Sequence, residues 1–461
     1  YIDDLMIWNK TLSDEQILNI YNNQSYLLDS NETSVGDVWS ATITPNDGTE
    51  DGTTVTSNNV TIAAANTAPS VTTPTITPTT AYTNNTLTTN TTYTDPDSDA
   101  GTVYFLWYRN GTNIYNQTNT SVATGTEVIA TLDSANFSKD DLINVSVYAN
   151  DGTVDSSTVW STVTTIQNLQ PEISNTVLNA TNINNNTNQN LTLSWTSTDT
   201  DNDNVKNITN WYLNGTSITV LNMPFEKNAT GTNTKDYSSF GYDGSNNGST
   251  WNATGGYDGF GAYEFDGTND YVGLGDILDS TFAGADKKFS FSLWTKPASV
   301  MINNQFIEKL GDSNCAENQR EFNFRLGTDS KVVFIWAGDL AGTSLRGVNG
   351  STSITDTSKW YHIVVTYDGS IDSNDGLDRV QIYVDGISES TSLSINSGAL
   401  GDIQDGTAHL GIGKHLDSSG SNCGTSKYYN GTIDEVQIFN RSLTPEQITN
   451  LYNNRTDLIS F

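Results

Sequence analysis

The stretch "IDEVQIFNRSLTPEQITNLYNN" (433–454) decides the fold, because the chain opens with a second copy of it. The first copy reads "IDDLMIWNKTLSDEQILNIYNN" (2–23), and the two are separated by a shift of 431 residues. Each copy starts as an apolar strand and continues, after a Ser or Thr with Gln three residues later, as a helix with a capping box. We expect both copies to have the same structural role.

A second repeat has a shift of 104 residues and defines smaller units. The matching pairs are "DPDSD" (95–99) with "DTDND" (199–203), "WYRNGT" (107–112) with "WYLNGT" (211–216), and "NDGTVD" (150–155) with "NDGTED" (46–51). Asn-Gly after a Trp-Tyr strand is a strong hairpin signal. Units of about 100 residues with short strands and polar turns have the size of a seven-stranded sandwich.

The two repeats are nested, which predicts a sandwich interrupted by a guest domain. The front half at 171–218 has no back half behind it, whereas the back half at 29–62 has no front half before it. The predicted segments are 1–23 (end of a preceding guest domain), 24–66 (back half), 67–168 (complete sandwich), 169–221 (front half), 222–454 (guest domain) and 455–461 (return to the next half). A piece of one long array and a subunit that completes its neighbour both fit this order.

Composition favours a β-rich protein outside the cell. The 461 residues carry a net charge of −33 with only 20 Lys and Arg, which argues against nucleic-acid binding and favours cation binding. No apolar run approaches the roughly 18 residues of a membrane span. The two cysteines, Cys315 and Cys423, predict a disulfide in such a setting, and two free thiols are the alternative.

The guest domain resembles a known family through several strand motifs taken in order. They are "AYEFDGTNDYV" (262–272), "FSLWTKP" (291–297), "WYHIVVTYDG" (360–369), "VQIYVDG" (380–386) and "GTIDEVQIFNRSLTPEQI" (431–448). Residues 222–454 thereby resemble the laminin-G-like, concanavalin A-like jelly rolls. The 104-residue units resemble the immunoglobulin-like (Ig-like) repeats of bacterial and archaeal surface proteins. The expected class is all-β, with tandem Ig-like sandwiches and one jelly roll.

The resemblance implies one structural calcium ion in the jelly roll. Asp266 and Asp270, with Asp434 or Glu435, are the positions that it suggests. Ca²⁺ takes six to eight oxygen ligands, which carboxylates and carbonyls supply. The alternative is that Asp266 closes a turn and Glu435 is a hydrogen-bonded strand residue.

The repeated acidic triplets are a second set of calcium candidates: Asp95, Asp97 and Asp99, and Asp199, Asp201 and Asp203. Neither fits an EF-hand, because the Gly at position six and the Glu at position twelve are missing. A site between domains, completed by Asp151 or Asp47, is one interpretation. Turns closed by the Asp side chains are the other.

Binding and modification have weaker signals than architecture. Trp251, Trp336, Tyr428 and Tyr429 are candidate sugar platforms, with core packing as the alternative, and Asn110, Asn214, Asn252 and Asn430 are candidate glycosylation sites. No metal-ligand or paired-carboxylate motif supports catalysis, and His362 lies inside an apolar strand. We therefore expect no enzyme.

Two functions remain. The first is a structural repeat unit of an extracellular filament, stalk or sheath, whose copies join head to tail by completing split Ig-like domains, with calcium stiffening the joints. The second is a cell-surface adhesin whose jelly roll binds glycans or proteins in a calcium-dependent way.

Overall fold

The computed structural model describes residues 5–24, 26–180, 190–227, 233–299, 304–310, 319–414, 428–454 and 458–459. The chain divides into two compact units, Tyr1–Gln170 and Pro171–Phe461. Nearly all of the regular structure is β, which confirms the predicted class. Cys315, Cys423 and His415 lie outside the described residues, so the disulfide stays a prediction. No helix among the described residues is both long and apolar enough to cross a bilayer.

The first segment of unit one confirms the predicted helix but not the strand. Helix α1 (Asp14–Tyr21) begins at a capping box, in which the Gln16 amide donates to Ser13 Oγ at 3.2 Å and Gln16 Oε1 accepts from the Ser13 amide at 2.9 Å. The described residues before it form no strand. Ile7 is 91% exposed, and none of the described residues pairs with this stretch as a neighbouring strand.

The next segment consists of short antiparallel pairs. After a 3₁₀ turn at Ser30–Glu32 come β1 (Val38–Trp39), β2 (Thr42–Ile43), β3 (Val55–Thr56) and β4 (Val60–Thr61). Strand β1 pairs with β4, and β2 pairs with β3. None of the apolar side chains in these strands is fully buried.

Ten strands and a second 3₁₀ turn (Ser134–Asn136) complete unit one as a two-sheet sandwich. They are β5 (Ser70–Val71), β6 (Thr75–Thr77), β7 (Ala81–Tyr82), β8 (Leu87–Thr94), β9 (Gly101–Arg109), β10 (Thr112–Val122), β11 (Glu127–Leu132), β12 (Leu142–Asn150), β13 (Val159–Trp160) and β14 (Thr164–Gln167). One sheet has the order β10-β9-β12-β14-β7, with β13 also on β12. The other has the order β11-β8-β5, with β6 also on β8.

Strict alternation along β9 builds the sandwich core. Val103, Phe105 and Trp107 are fully buried, whereas the residues between them are half-exposed. This period of two places one face of the strand against the opposite sheet. The hairpin after β9 turns at Asn110 and Gly111, both with positive φ (51° and 79°), as a two-residue turn requires.

Unit two has a small three-stranded sheet and a hairpin that resemble the start of that sandwich. They are a sheet of β15 (Glu172–Ala180), β16 (Leu191–Thr198) and β36 (Leu458–Ile459), and the hairpin of β17 (Tyr212–Leu213) and β18 (Thr216–Ser217). Residues 202–211 form no strand.

The rest of unit two is a jelly roll of two large sheets. The eight-stranded sheet contains β19 (Thr219–Met223), β22 (Thr250–Asn252), β23 (Ala262–Asp266), β25 (Lys288–Pro297), β30 (Tyr361–Asp368), β31 (Val380–Val384), β32 (Ile387–Ser388) and β35 (Asn430–Phe439). The nine-stranded sheet contains β20 (Asn233–Thr234), β21 (Gly244–Asn247), β24 (Tyr271–Gly275), β26 (Gln305–Lys309), β27 (Phe322–Leu326), β28 (Lys331–Ala337), β29 (Leu345–Ser353), β33 (Ser392–Ser397) and β34 (Leu410–Ile412). Short helices α2 (Asp279–Phe282) and α3 (Pro445–Tyr452) and a 3₁₀ turn (Leu377–Arg379) connect them.

Phenylalanines from both sheets fill the space between them. Phe291 of β25 packs against Phe322 and Phe324 of β27, with ring centroids 5.1 and 5.7 Å apart. The outer face of β25 is also covered, because Tyr452 of α3 stacks on Trp294 with ring centroids 5.6 Å apart and the Leu443 amide donates to Ser290 Oγ at 3.0 Å. Strand β25 is therefore buried on both faces, whereas the sequence predicts burial of one.

Candidate functional site

An acidic cluster around one lysine is the most unusual group of side chains in the jelly-roll unit. The Lys206 ammonium lies 2.8 Å from Glu435 Oε1 and 3.7 Å from Glu226 Oε1, and it also contacts Asp258. These side chains are between 9% and 14% exposed. A fourth carboxylate, Asp434, lies beside the other three, whereas the ion pairs of Lys206 are with Glu226, Asp258 and Glu435.

The polypeptide holds these groups in place by hydrogen bonds to the backbone. Asp434 Oδ2 accepts from the Tyr257 amide at 3.1 Å, and Glu226 Oε2 accepts from the Gly261 amide at 2.9 Å. Consecutive residues of a strand normally point to opposite faces of the sheet. A β-bulge in β35 and the positive φ of Glu435 (49°) change this locally, so that Asp434 and Glu435 both reach the cluster.

Burial and mutual repulsion shift the pKa values of the acids. Burial raises the pKa of Glu226 to about 7, and burial followed by the charges of Glu435 and Glu226 raises the pKa of Asp434 well above its ordinary value. Burial lowers the pKa of Lys206, but the carboxylates around it outweigh that effect and raise the pKa overall. The lysine therefore stays charged and compensates only part of the negative charge.

The donor set of this cluster fits a hard cation. Oxygen atoms of Glu226, Asp258 and Glu435 lie within 4.8 Å of one another, and oxygen-only ligands are what Ca²⁺ prefers. Because Lys206 occupies the centre, a calcium ion would be held by these carboxylates only with the ammonium moved aside.

The two other calcium positions suggested by the resemblance lie elsewhere. Asp266 pairs with Asn430, four residues along β35 from Asp434, which is about 13 Å at the rise of a strand. Asp270 Oδ2 accepts from the Asp266 amide at 2.9 Å, and Asp266 Oδ1 accepts from Thr268. The expected combination of these two residues with Asp434 or Glu435 is therefore not formed, and Asp266 closes a turn.

Both acidic triplets form the same loop. Asp95 Oδ1 accepts from the amides of Asp97 and Asp99 at 2.9 and 3.0 Å, and Asp199 Oδ1 accepts from those of Asp201 and Asp203 at 2.8 and 3.1 Å. The predicted turns are thus present. The loops differ in one respect. Carboxylate oxygens of Asp199, Asp201 and Asp203 all lie within 4.8 Å of one another, whereas those of the first triplet are not grouped in this way among the described residues.

Another buried lysine joins acidic residues in the jelly roll. Lys309 is fully buried and lies 2.9 Å from both Asp276 Oδ1 and Glu321 Oε1, and it contacts Asp279. Burial raises the pKa of Glu321 to about 7. This group fixes α2 against the nine-stranded sheet.

Three of the four candidate sugar platforms are wrong for physical reasons. Trp336, Tyr428 and Tyr429 are 1%, 7% and 0% exposed, so they offer no ring face to a ligand. Tyr429 packs between the sheets against Phe265 and Phe306. Trp251 is half-buried and donates through Nε1 to the Phe225 carbonyl at 2.8 Å.

The candidate glycosylation sites differ in the hydrogen bonds that their side-chain amide nitrogens make. Asn110 Nδ2 donates to Asp141 Oδ1 at 2.6 Å, and Asn252 Nδ2 donates to Glu264 Oε1 at 2.7 Å. Asn430 Nδ2 lies 3.5 Å from Ser299 Oγ, and Asn214 lies exposed in its turn.

The histidine in the apolar strand has a structural role. His362 is 1% exposed, its Nε2 lies 2.9 Å from Ser292 Oγ, and burial lowers its pKa to about 3.

Sequence reasoning missed Lys206, Glu226 and Asp258. The one available signal was Lys206 itself, a lysine in a lysine-poor segment where the other repeat has Thr102. Glu226 and Asp258 come from loops without a motif, and only the folded chain brings them to β35.

Comparisons with known proteins agree with the jelly roll. Residues 266–449 match the family model described as the concanavalin A-like lectin/glucanases superfamily, of the laminin-G-like type. This segment is a lectin/glucanase-like β-sandwich. No curated protein matches the chain.

Solved structures resemble parts of the chain. The HCR/D F1240A mutant is 14% identical with a TM-score of 0.34, covering 51% of this chain, and the chain spans only about half (51%) of that protein. The CBM40 of a Ruminococcus gnavus IT-sialidase bound to α2,3-sialyllactose is 13% identical with a TM-score of 0.30, covering 41% of this chain and 96% of the module. The PKD domain of an M14-like peptidase from a Thermoplasmatales archaeon is 27% identical with a TM-score of 0.17, covering 22% of this chain and 99% of the domain. TM-scores this low assign no function.

Proposed function

Because a laminin-G-like jelly roll stands inside repeated sandwich elements, we propose that this chain is a structural repeat unit of an extracellular cell-surface filament, stalk or sheath. Copies join head to tail when residues 29–62 of one copy complete the split Ig-like domain at 171–218 of the preceding copy. Its partners are copies of itself. One observation carries this proposal: the strand pairings within residues 29–62 are the same as those within the back half of the complete sandwich.

The match extends along the whole segment at the shift of 104 residues. Val38 pairs with Thr61 as Leu142 pairs with Thr165, and Ile43 pairs with Val55 as Val147 pairs with Val159. The isolated bridges are equivalent too, Asn46 to Asp51 and Asn150 to Asp155. Residues 38–61 therefore repeat the strand pairings of residues 142–165, which supports the assignment of this segment as a back half.

Burial is where the two segments differ. Val147 is fully buried, whereas Ile43, at the same repeat position, is 72% exposed. Ile143 is also fully buried, but its equivalent Trp39 is half-buried. Burying one large aliphatic side chain stabilises by about 1.5–3 kcal/mol, so this face gains substantially from a partner.

The front half at 171–218 has the complementary deficiency. In the complete sandwich, β12 pairs with β9 along eight residues, from Thr102 to Arg109. The equivalent residues 206–213 form a strand only at Tyr212–Leu213. A strand from a second copy would give these residues their ladder hydrogen bonds.

The strand that pairs with 206–213 comes from a second copy, because the repeat of 104 residues already specifies how 29–62 aligns with it. The β12–β9 pairing places Asn144 opposite Tyr108, which translates to Ser40 opposite Tyr212. The Asn110 side chain bridges the same pair of strands, donating to Asp141 and accepting from the Leu142 amide. Asn214 and Asp37 occupy the equivalent positions.

The test is the size of the full chain in solution as a function of concentration, by sedimentation velocity. We expect head-to-tail species that lengthen with concentration, and we expect Ile43→Glu to abolish them. Ile129→Glu is the matched control, since Ile129 is 55% exposed on the outer face of the complete sandwich. A chain that stays monomeric at high concentration contradicts the proposal.

A second function is favoured by the family match: a cell-surface adhesin whose jelly roll binds glycans with calcium. Of the candidate platforms only Trp251 remains accessible. Retention of the full chain on a glycan array with calcium and with EDTA tests this function. No retention in either condition contradicts it. We propose no catalytic activity, since laminin-G-like domains are typically binding modules.

A further inference from the structure

The linker before the complete sandwich is tied to two aspartates. Asp97 Oδ2 accepts from the Thr67 amide at 2.6 Å, and Asp151 Oδ2 accepts from Asn66 Nδ2 at 2.9 Å. The acidic loop and the Asn-Asp-Gly turn thus meet at the joint between 29–62 and 67–168.

One buried carboxylate oxygen at this joint has no partner. Asp95 is 3% exposed, and its Oδ1 already accepts two amides. Its Oδ2 is buried and accepts no hydrogen bond from any residue that the structure describes. An unpartnered buried charge is costly, so this oxygen points to a ligand that brings positive charge.

Tyr93 lies against the same acidic loop. Its hydroxyl donates to the Asp99 carbonyl at 3.1 Å. Burial, and then the charges of Asp95, Asp151 and Asp99, raise the pKa of Tyr93 to about 12. Within the described residues no lysine or arginine forms an ion pair with Asp95, Asp97, Asp99 or Asp151.

The same parts exist a second time, on separate halves. The shift of 104 residues takes the acidic loop to Asp199, Asp201 and Asp203, and takes Asp151 to Asp47. Asp47 Oδ1 accepts from the Thr49 and Glu50 amides, as Asp151 Oδ1 does from Thr153 and Val154. Each half of the second site therefore has its local geometry in place.

We infer that Asp95, Asp97, Asp99 and Asp151 form a calcium site at the linker, and that assembly builds a second one from Asp199, Asp201 and Asp203 of one copy and Asp47 of the next. Calcium fits better than magnesium, because Ca²⁺ takes six to eight oxygen ligands, largely from carboxylates and backbone carbonyls, whereas Mg²⁺ keeps several waters and is bound through one or two carboxylates. The second site rests on the proposed head-to-tail joining. The first does not.

Regulation of assembly follows from the split site. An ion that binds the completed site more tightly than either half favours the completed state by mass action. Calcium is therefore expected to lower the concentration at which copies join.

The first experiment uses terbium luminescence of the full chain excited through tyrosine, with calcium as competitor. Tyr93 lies next to the proposed site, so bound terbium emits. Asp95→Asn keeps the acceptor oxygen for Asp97 and Asp99 but removes the charge, and we expect it to weaken calcium competition at this site about tenfold or more. Asp133→Asn is the control, since Asp133 Oδ1 accepts the Ala135 amide in the same domain. An unchanged Asp95→Asn titration, or equal loss in the control, overturns the first site.

The second experiment measures assembly by sedimentation velocity with calcium and with EDTA. We expect calcium to lengthen the species formed by the wild type and by Asp95→Asn, but not those formed by Asp199→Asn. Assembly that ignores calcium in the wild type overturns the second site and leaves the proposed function standing. No assembly in either condition overturns both the second site and the proposed function, whereas the terbium result still decides the first.

Discussion

Ile459 pairs with Leu191 in the register that the complete sandwich uses for the equivalent edge pair, Leu132 with Leu87. The nested repeats give this equivalence independently, because Ile459 matches Leu28 at a shift of 431 and Leu28 matches Leu132 at a shift of 104. After leaving the jelly roll, the chain thus pairs with β16 at the position where the proposed interrupted sandwich needs its edge strand. This agreement supports the idea that the sandwich continues where the guest domain ends.

The proposed register predicts where an engineered disulfide can link two copies. In a head-to-tail joint Tyr212 of one copy lies opposite Ser40 of the next, at a Cα separation of about 4.5–5.5 Å. We expect the pair Ser40→Cys and Tyr212→Cys to form a disulfide between copies under mild oxidation, detected by peptide mapping. The control pair is Ser40→Cys with Asn210→Cys, which is two residues out of register and is expected to cross-link less. Equal cross-linking of both pairs would contradict the proposed register.

Matched core substitutions separate folding from assembly. Val147→Ala removes buried methyl groups and is expected to reduce the free energy of unfolding of its domain by about 2 kcal/mol. Ile43→Ala at the equivalent, exposed position is expected to change the unfolding of the dilute chain by less than about 0.5 kcal/mol, and to weaken joining instead. Chemical denaturation and sedimentation velocity measure the two effects. A large loss of stability in dilute Ile43→Ala would show that this face is already covered.

Removal of the central lysine tests the acidic cluster. Lys206→Met leaves buried carboxylates without their cation, and we expect a loss of about 3–5 kcal/mol in the unfolding free energy of the jelly-roll unit. Lys288→Met is the control, because Lys288 is 48% exposed beside Asp368 and its ion pair contributes about 1 kcal/mol or less. If calcium restores the stability of Lys206→Met but not of the control, the cluster accepts the ion in place of the ammonium. Equal losses in the two variants would argue against a special role for Lys206.

Glu226 predicts a pH dependence of stability. Its pKa in the folded chain is raised by burial to about 7, so its protonated form stabilises the fold. That contribution is fully present below about pH 4.5, the unfolded value, and is lost as pH rises through 7. We expect the unfolding free energy to fall by up to about 1.4 kcal/mol per pH unit over this window. Glu226→Gln should flatten the slope, and an unchanged slope would remove Glu226 as its source.

Local chemistry explains which features could be predicted from sequence. The helix caps at Ser13 and Thr444 and the turn at Asn110-Gly111 depend on a few neighbouring residues, and the structure confirms them. Strand formation depends on partners, which is why the apolar stretch at 5–8 stays irregular although its copy in β35 is central to a sheet.

Sites assembled from distant segments could not be predicted in the same way. Lys206, Glu226 and Asp258 come from three separate loops. The wrong prediction of sugar platforms has a related cause. In the sequence, an aromatic residue in a Gly-rich loop is the same whether its ring packs inward, as that of Tyr429 does, or faces solvent. Burial is a property of the whole fold, and periodicity reports it only within regular strands.

The jelly roll receives the chain and returns it at nearly one point, because Thr219 at its entry pairs with Phe439 at its exit. For the interrupted sandwich, the folded insertion therefore acts as a short loop whose closure entropy is small. If the insertion were unfolded, it would become a flexible loop of about 220 residues, and closing that loop would cost roughly 3 kcal/mol more than closing a tight turn. We therefore expect the jelly roll to fold first, so that the halves of the proposed host sandwich meet at little entropic cost.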